Sequence, residues 1–151
     1  MNSKLSVIVP VYNEENTVQD ILSRLGAVQL IMGTEMEIIL VNDASTDGSE
    51  EKIRSFTDQH PEMEISYYAH DVNKGKGAAL HTGIAEAKGD FVVVQDADLE
   101  YDPNEFNILL QPLLNNVADV VYGSRFIGGK PHRILFFWHS IGNKFLTFLS
   151  N

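Results

Sequence analysis

Apolar runs and stretches of helical period alternate along the whole chain. Leu5-Ser-Val-Ile-Val-Pro-Val11 is nearly continuous in apolar residues, as a buried strand requires. From about Glu15 to Leu25, the residues Val18, Ile21, Leu22 and Leu25 recur at helical spacing, with Gly26 near the end. Glu37–Val41 predicts a second strand. Asp47-Gly-Ser-Glu-Glu predicts the acidic start of a second helix, as the helix dipole favours, which ends before Pro61. Ile65–Ala69 predicts a third strand, and Gly77–Ala87 a helix of small residues. Asp90–Val94 predicts a fourth strand. Pro103 then fits the first turn of a helix that runs to about Asn115, with a kink at Pro112. Val117–Tyr122 predicts a fifth strand, Gly128-Gly-Lys-Pro131 a loop, and Ile134–Leu149 a last helix.

This alternation predicts an α/β fold, a mostly parallel sheet with helices on both faces. Such sheets bind ligands beyond the C-terminal ends of their strands. Polar clusters stand at those ends here: Tyr12-Asn13-Glu14, Asn42-Asp43 and Gln95-Asp96-Ala97-Asp98. The expected organisation is a ligand-binding domain over residues 1–133, followed by a C-terminal helical segment over 134–151. The chain stops in or just after that last helix with no capping sequence, so a longer parent protein is expected.

Composition narrows the partners. The 151 residues suffice for one domain with a real core, and 44% hydrophobic with 21% charged residues is ordinary for a globular chain. The absence of cysteine excludes disulfides and thiolate metal sites, which suits a cytoplasmic setting. A net charge of −10 argues against nucleic acid as a partner. The charge is uneven: from Tyr122 onward there are Arg125, Lys130, Arg133 and Lys144 but no Asp or Glu. No run approaches the roughly 18 apolar residues of a membrane span. The segment 134–149 nevertheless sets Phe136, Phe137, Trp138, Phe145 and Phe148 among Lys144 and neighbouring Arg133. That mixture suits a helix lying on a membrane surface, and equally a helix packed on the domain. Left exposed, its aromatic surplus would drive a homodimer.

Asp96 and Asp98 carry the sharpest chemistry. Carboxylates at i and i+2 share a side if the extended geometry of Phe91–Val94 persists, and they repel unless a cation lies between them. A hard ion such as Mg²⁺ or Mn²⁺ takes such ligands together with substrate phosphates. It would also let an acidic protein hold an anionic ligand. The plainer reading of Asp-x-Asp is a solvated loop. Asp43 could accept a hydrogen bond from a nucleobase or ribose. Ser45, Thr46 and Asp47 beside it read as turn and helix-capping residues. Tyr12 could stack on a base, and Glu14 could bond a ribose or base. In Asn73-Lys-Gly-Lys-Gly-Ala-Ala79 the glycines serve either close phosphate approach, with Lys76 attracting the phosphate, or tight helix–sheet packing. Arg125, in Gly123-Ser-Arg125, is a candidate phosphate clamp. The five histidines show no metal spacing and read as structural. A phosphoacceptor signalling domain or a haloacid-type phosphatase would need its aspartates after the first strand, where this chain has Pro10-Val-Tyr-Asn-Glu14.

Val7-Ile-Val-Pro-Val-Tyr-Asn-Glu14, Val41-Asn-Asp-Ala-Ser-Thr-Asp-Gly48, Asn73-Lys-Gly-Lys-Gly-Ala-Ala79, Val94-Gln-Asp-Ala-Asp98 and Gly123-Ser-Arg125 occur in one order. Together they resemble the family 2 glycosyltransferases, and within them the enzymes that glycosylate dolichyl or other polyprenyl phosphates. The resemblance implies a GT-A (Rossmann-like) fold, a UDP- or GDP-hexose donor, and Mg²⁺ or Mn²⁺. By position it implies that Pro10, Tyr12, Glu14, Val41 and Asp43 line a nucleoside pocket. It implies that Asp96, Ala97 and Asp98 hold nucleotide and metal, and that Arg125 contacts phosphate. The implied reaction is inverting hexose transfer to a lipid phosphate at the cytoplasmic face of a membrane. A saccharide hydroxyl as acceptor, and a donor-binding fragment without turnover, stand as alternatives. Asn42 departs from the Asp common at its position in this family.

Overall fold

A computed structural model describes residues 3–123. Arg125 and the expected C-terminal helix therefore lie outside the described residues. The chain divides into two compact units, Met1–Asp119 and Val120–Asn151.

The first unit is built on four strands, β1 (Lys4–Val11), β2 (Glu35–Asn42), β3 (Ile65–Ala69) and β4 (Phe91–Val94). They pair in the order β3-β2-β1-β4, every pair parallel. The register runs Val7 to Ile38 and Val93, and Ile38 to Ile65. The helices are α1 (Val18–Ala27), α2 (Ser49–Gln59), α3 (Lys76–Glu86) and α4 (Phe106–Leu114), with 3₁₀ turns at Ile31–Gly33 and Pro103–Glu105.

Side-chain alternation along β1 and β2 assigns the two faces. Leu5, Val7, Val9 and Val11 with Ile38 and Leu40 meet Val18, Ile21, Leu22 and Leu25 of α1, Ile53 and Phe56 of α2, and Phe106 and Leu110 of α4. Each fully buried aliphatic side chain contributes about 2 kcal/mol over its exposed state. The opposite face is thinner. Ile39 and Val41 pack with Ala79 of α3, while Val92 and Val94 stay 47% and 43% exposed. Gly83 lets α3 approach this closely, since a Cβ there would overlap Ile8 Cγ2.

Strand and helix positions agree with the pattern along the chain to within a few residues. The exception is Val117–Tyr122, which forms no strand. Its first amides are used elsewhere: Asn116 N–H donates to Leu113 O, and Val117 and Ala118 N–H both donate to Pro112 O. These amides close the C-terminus of α4, where carbonyls lack helical partners, and so cannot enter a ladder. Pro112 lies inside α4, as expected.

Candidate functional site

β1 leads to β2 and β3 on one side, and the chain returns to β4 on the other. The topology therefore reverses between β1 and β4, where an open parallel sheet leaves a crevice at its carboxyl ends. A cleft of about 310 Å³ lies there. Tyr12 and Glu14 reach it from the end of β1, Asp43 from β2, Lys76 from α3, and Asp96, Ala97 and Asp98 from β4. Pro10, Val11, Asn73, Gly75 and Ala79 complete its wall.

The structure thus brings Pro10, Tyr12, Glu14, Asp43, Lys76, Asp96, Ala97 and Asp98 to one place. Val41 does not join them; it is fully buried in the core beneath α3 and does not border the cleft. Asp43, two residues on and past the end of β2, does, because the pleat has ended and the chain turns at Ala44, whose φ is +58°. Asn13 and Leu99 share this left-handed conformation, at φ +56° and +64°. Three non-glycine residues in that region thus each follow a cleft residue, Tyr12, Asp43 or Asp98. Such backbone persists only where surrounding bonds hold it.

Those bonds are present. Asn13 N–H donates to Ser45 Oγ at 3.0 Å, and Asn13 Oδ1 accepts from Thr46 N–H at 2.9 Å. Glu15 N–H donates to Asp47 Oδ2, and Glu15 Oε2 accepts from Gly48 N–H. Ser45 and Thr46 therefore tie the β1 and β2 rims together rather than capping a helix. Asp47 does both, since its Oδ1 accepts from Ser49 N–H and Oγ at the start of α2. Burial pushes the Asp47 pKa up, but the Ser49 bonds and the Glu15 amide outweigh it and hold the carboxyl below its ordinary value.

The Asp96–Asp98 pair is not presented by a strand. β4 ends at Val94, and Ala97 and Asp98 lie in a turn. Ala97 is 3% exposed and packs into the main core. Gln95, also buried, braces the turn from within, donating through Nε2 to the carbonyls of Asp96 and Tyr101. Asp96 Oδ1 lies 2.5 Å from Lys76 Nζ, and Asp98 Oδ1 accepts from Glu100 N–H at 3.0 Å. Among the described residues no group of three or more His, Cys, Asp or Glu could enclose a metal. Two carboxylates with oxygen donors only fit a hard divalent ion that completes its shell with ligand phosphates and water, and the Lys76 ammonium has to leave Asp96 Oδ1 to admit it.

Asp43 is 3% exposed yet ionised. Burial, the largest influence, raises its pKa; the amides of Lys74 and Gly75 and the His70 ring together bring it below the ordinary value. Oδ1 accepts from Lys74 N–H at 2.9 Å and meets His70 Nδ1 at 2.6 Å, while Oδ2 accepts from Gly75 N–H at 2.7 Å. Asp43 thereby holds the loop that opens α3. Gly75, at φ +87° and ψ 158°, takes a conformation that suits glycine alone.

His70 escaped the sequence reading, which sought metal spacing among histidines. The signal was its place: it follows the last residue of β3, as Asp43 follows the last residue of β2, and those strands pair in parallel. Asn42 also gains a reason. Its Nδ2 donates to Tyr67 Oη at 2.9 Å while its Oδ1 accepts from Ser45 N–H. An aspartate could not donate to Tyr67 and would have to accept from its hydroxyl instead, and here it would add a second buried charge beside Asp43.

A parallel α/β domain with an acidic rim at its switch point has the GT-A architecture. Solved structures agree. A mannosyltransferase from Pyrobaculum calidifontis, in complex with GDP-Man and Mn²⁺, superposes with a TM-score of 0.63 at 28% identity over 70% of this chain and 30% of its own. Glucosyl-3-phosphoglycerate synthase from Mycobacterium tuberculosis, with Mn²⁺, UDP and glucosyl-3-phosphoglycerate, superposes at 0.57 with 29% identity, over 74% of this chain and 40% of its own. Residues 6–146 match the profile of glycosyl transferase family 2, and the chain belongs to that family. Among curated relatives, a dolichol-phosphate mannosyltransferase of Pyrococcus furiosus is 34% identical over 84% of this chain and 35% of its own length. An undecaprenyl-phosphate 4-deoxy-4-formamido-L-arabinose transferase of Edwardsiella ictaluri is 36% identical over 78% and 34%. The chain spans about a third of the length of these relatives.

Proposed function

We propose that the cleft binds a nucleoside diphosphate hexose, with a UDP or GDP carrier, and that the protein transfers the hexose to a polyprenyl phosphate with inversion. One observation carries this: Asp96 and Asp98 share a single cleft with Tyr12, Glu14, Asp43 and Lys76 at the switch point of the sheet. Tyr12, 48% exposed, offers an aromatic face to the base. Asp43 has one acceptor position left on Oδ2 for an N–H of the base, since three of its four are occupied. Glu14 accepts from Thr17 Oγ1 through Oε2, which leaves Oε1 for a ribose hydroxyl.

Mg²⁺ or Mn²⁺ held by Asp96 and Asp98 would supply charge neutralisation for the departing diphosphate. Lys76 adds positive charge at the same place. In the displacement, an acceptor phosphate oxygen bonds to the anomeric carbon as the bond from that carbon to the donor's β-phosphate oxygen breaks. The nucleoside diphosphate leaves with the electron pair. A phosphate monoester is ionised near neutral pH, its second pKa being about 6, so no side chain must remove a proton. The site then has to align the two reactants, which the braced rim suits. Membrane association belongs to the same proposal, at the cytoplasmic face where the acceptor is met. Among the described residues no helix is long and apolar enough to cross a membrane.

Calorimetry with UDP- and GDP-sugars, with and without Mn²⁺, tests donor binding. Asp98→Ala is expected to weaken Mn²⁺-dependent binding by about 100-fold or more. Equal binding by this variant and the wild type overturns the metal role. Radiolabelled sugar appearing on dolichyl or undecaprenyl phosphate distinguishes transfer from donor binding without turnover.

A further inference from the structure

The Asp43 carboxylate is held by groups of two kinds. The Lys74 and Gly75 amides belong to the loop it anchors and move with that loop. The His70 ring belongs to another element. His70 follows the last residue of β3, and its backbone N–H donates to Asn42 O at 2.9 Å, extending the β2–β3 ladder by one bond. Its side chain is 8% exposed, is absent from the cleft wall, and lies behind Asp43. On its far side, Nε2 meets Thr82 Oγ1 of α3 at 2.9 Å. An ionised carboxylate only accepts, so Nδ1 carries the hydrogen that it shares with Asp43, and the Thr82 hydroxyl serves Nε2.

We propose that His70, braced by Thr82, is a positioning residue that fixes the rotation of the Asp43 carboxylate and so directs its remaining acceptor position into the cleft. The inference rests on the nucleotide reading of that cleft. An aspartate carboxylate turns easily about its last torsion. Held by the loop amides alone, it would follow every movement of residues 74–75. Joined through His70 to β3 and α3, it keeps one orientation whether or not the loop shifts. A base N–H then meets an acceptor already aimed, and the ordering is not left to the moment of binding.

The experiment measures binding of GDP, UDP and inorganic pyrophosphate, each with Mn²⁺, to the whole chain and to His70→Ala, His70→Asn and Thr82→Val. The Asn amide can donate from near the place of Nδ1. Expected for His70→Ala is a loss of about tenfold for whichever nucleoside diphosphate the wild type prefers, with pyrophosphate affinity unchanged. His70→Asn should restore most of that loss, and Thr82→Val should cause a smaller one. A purely structural histidine would lower nucleotide and pyrophosphate binding together, or neither, and either result overturns the proposal. Binding of neither nucleotide by the wild type overturns the nucleotide reading itself, and the role of His70 with it.

Discussion

A buried carboxylate stands near each end of strand β2, Glu37 within the strand and Asp43 one residue past it, and the two are held in similar ways. Glu37, at the N-terminal end, accepts from Ser6 Oγ at 2.5 Å and from Lys88 N–H at 2.7 Å, with Lys4 Nζ at 3.8 Å. Ser6 Oγ in turn accepts from Gly89 N–H. Asp43, just past the C-terminal end, accepts from the His70 ring and from two loop amides. Both carboxyls lie below their ordinary pKa because hydrogen bonds overcome burial. Both pin the loop that precedes the next element, β4 in one case and α3 in the other. Burial, charge and a lowered pKa are therefore common to both and do not mark a site. What separates them is that Asp43 borders a cleft with Tyr12 and the Asp96–Asp98 pair, and Glu37 does not.

Replacing each in turn is the most direct way to break this comparison, and the largest effect is expected from it. Asp43→Ala should lose both folding stability and about 100-fold in nucleotide affinity. Glu37→Ala should lose about 3 kcal/mol of stability, through the donors it leaves unpaired, with affinity unchanged. Urea unfolding measures the first quantity and calorimetry well below the melting temperature the second. A fall in affinity for Glu37→Ala as deep as for Asp43→Ala would erase the distinction between the two ends.

Acidification should act on both ends alike. A carboxyl with a lowered native pKa contributes stability that is full above its unfolded value and is lost as pH falls through the native value. The ordinary values are 4.5 for Glu37 and 3.8 for Asp43, and both native values lie below them. Stability should thus be flat above about pH 5 and fall below it, by up to about 1.4 kcal/mol per pH unit for each group inside its own window. Glu37→Gln and Asp43→Asn should each remove one group's share of that slope. Urea midpoints between pH 2 and 7 test this, and an unchanged slope in either variant contradicts the stated hydrogen bonding.

Much of this was legible along the chain, and the rest was hidden for identifiable reasons. Parallel strands are buried on both faces, so Leu5–Val11 and Ile38–Val41 appear as nearly continuous apolar runs, and the polar residues after them fall at the ligand rim. That logic placed Tyr12, Glu14, Asp43, Asp96 and Asp98 near one another before any coordinates. It failed at Val117–Tyr122, whose first two amides are committed to closing α4. Val41, one step from the end of its strand, still obeys the pleat and is buried with Ile39 and Ala79, apart from the cleft wall. The same logic could not reveal His70, since the partner of a histidine is set by strand register and not by local spacing.

Glycine offers the finest test of the contrast between the ends. At Gly89, beside Glu37, a Cβ would stand 2.7 Å from Lys4 O and from Ser6 Oγ, and 2.8 Å from Ser6 N. Two of those atoms are backbone and cannot swing away, so Gly89→Ala should cost about 2 kcal/mol. At Gly77, in the first turn of α3 near the cleft, a Cβ meets nothing within 4 Å, and φ is not positive. Gly77→Ala should therefore raise stability by about 0.5 kcal/mol, through helix propensity and a less disordered unfolded chain. Its nucleotide affinity separates the two roles open to this glycine. If affinity holds, Gly77 serves neither packing nor the ligand, and Gly75 alone answers for the loop's geometry. If affinity falls while stability rises, the bound diphosphate approaches the backbone at Gly77, and the open end of the sheet extends to that residue.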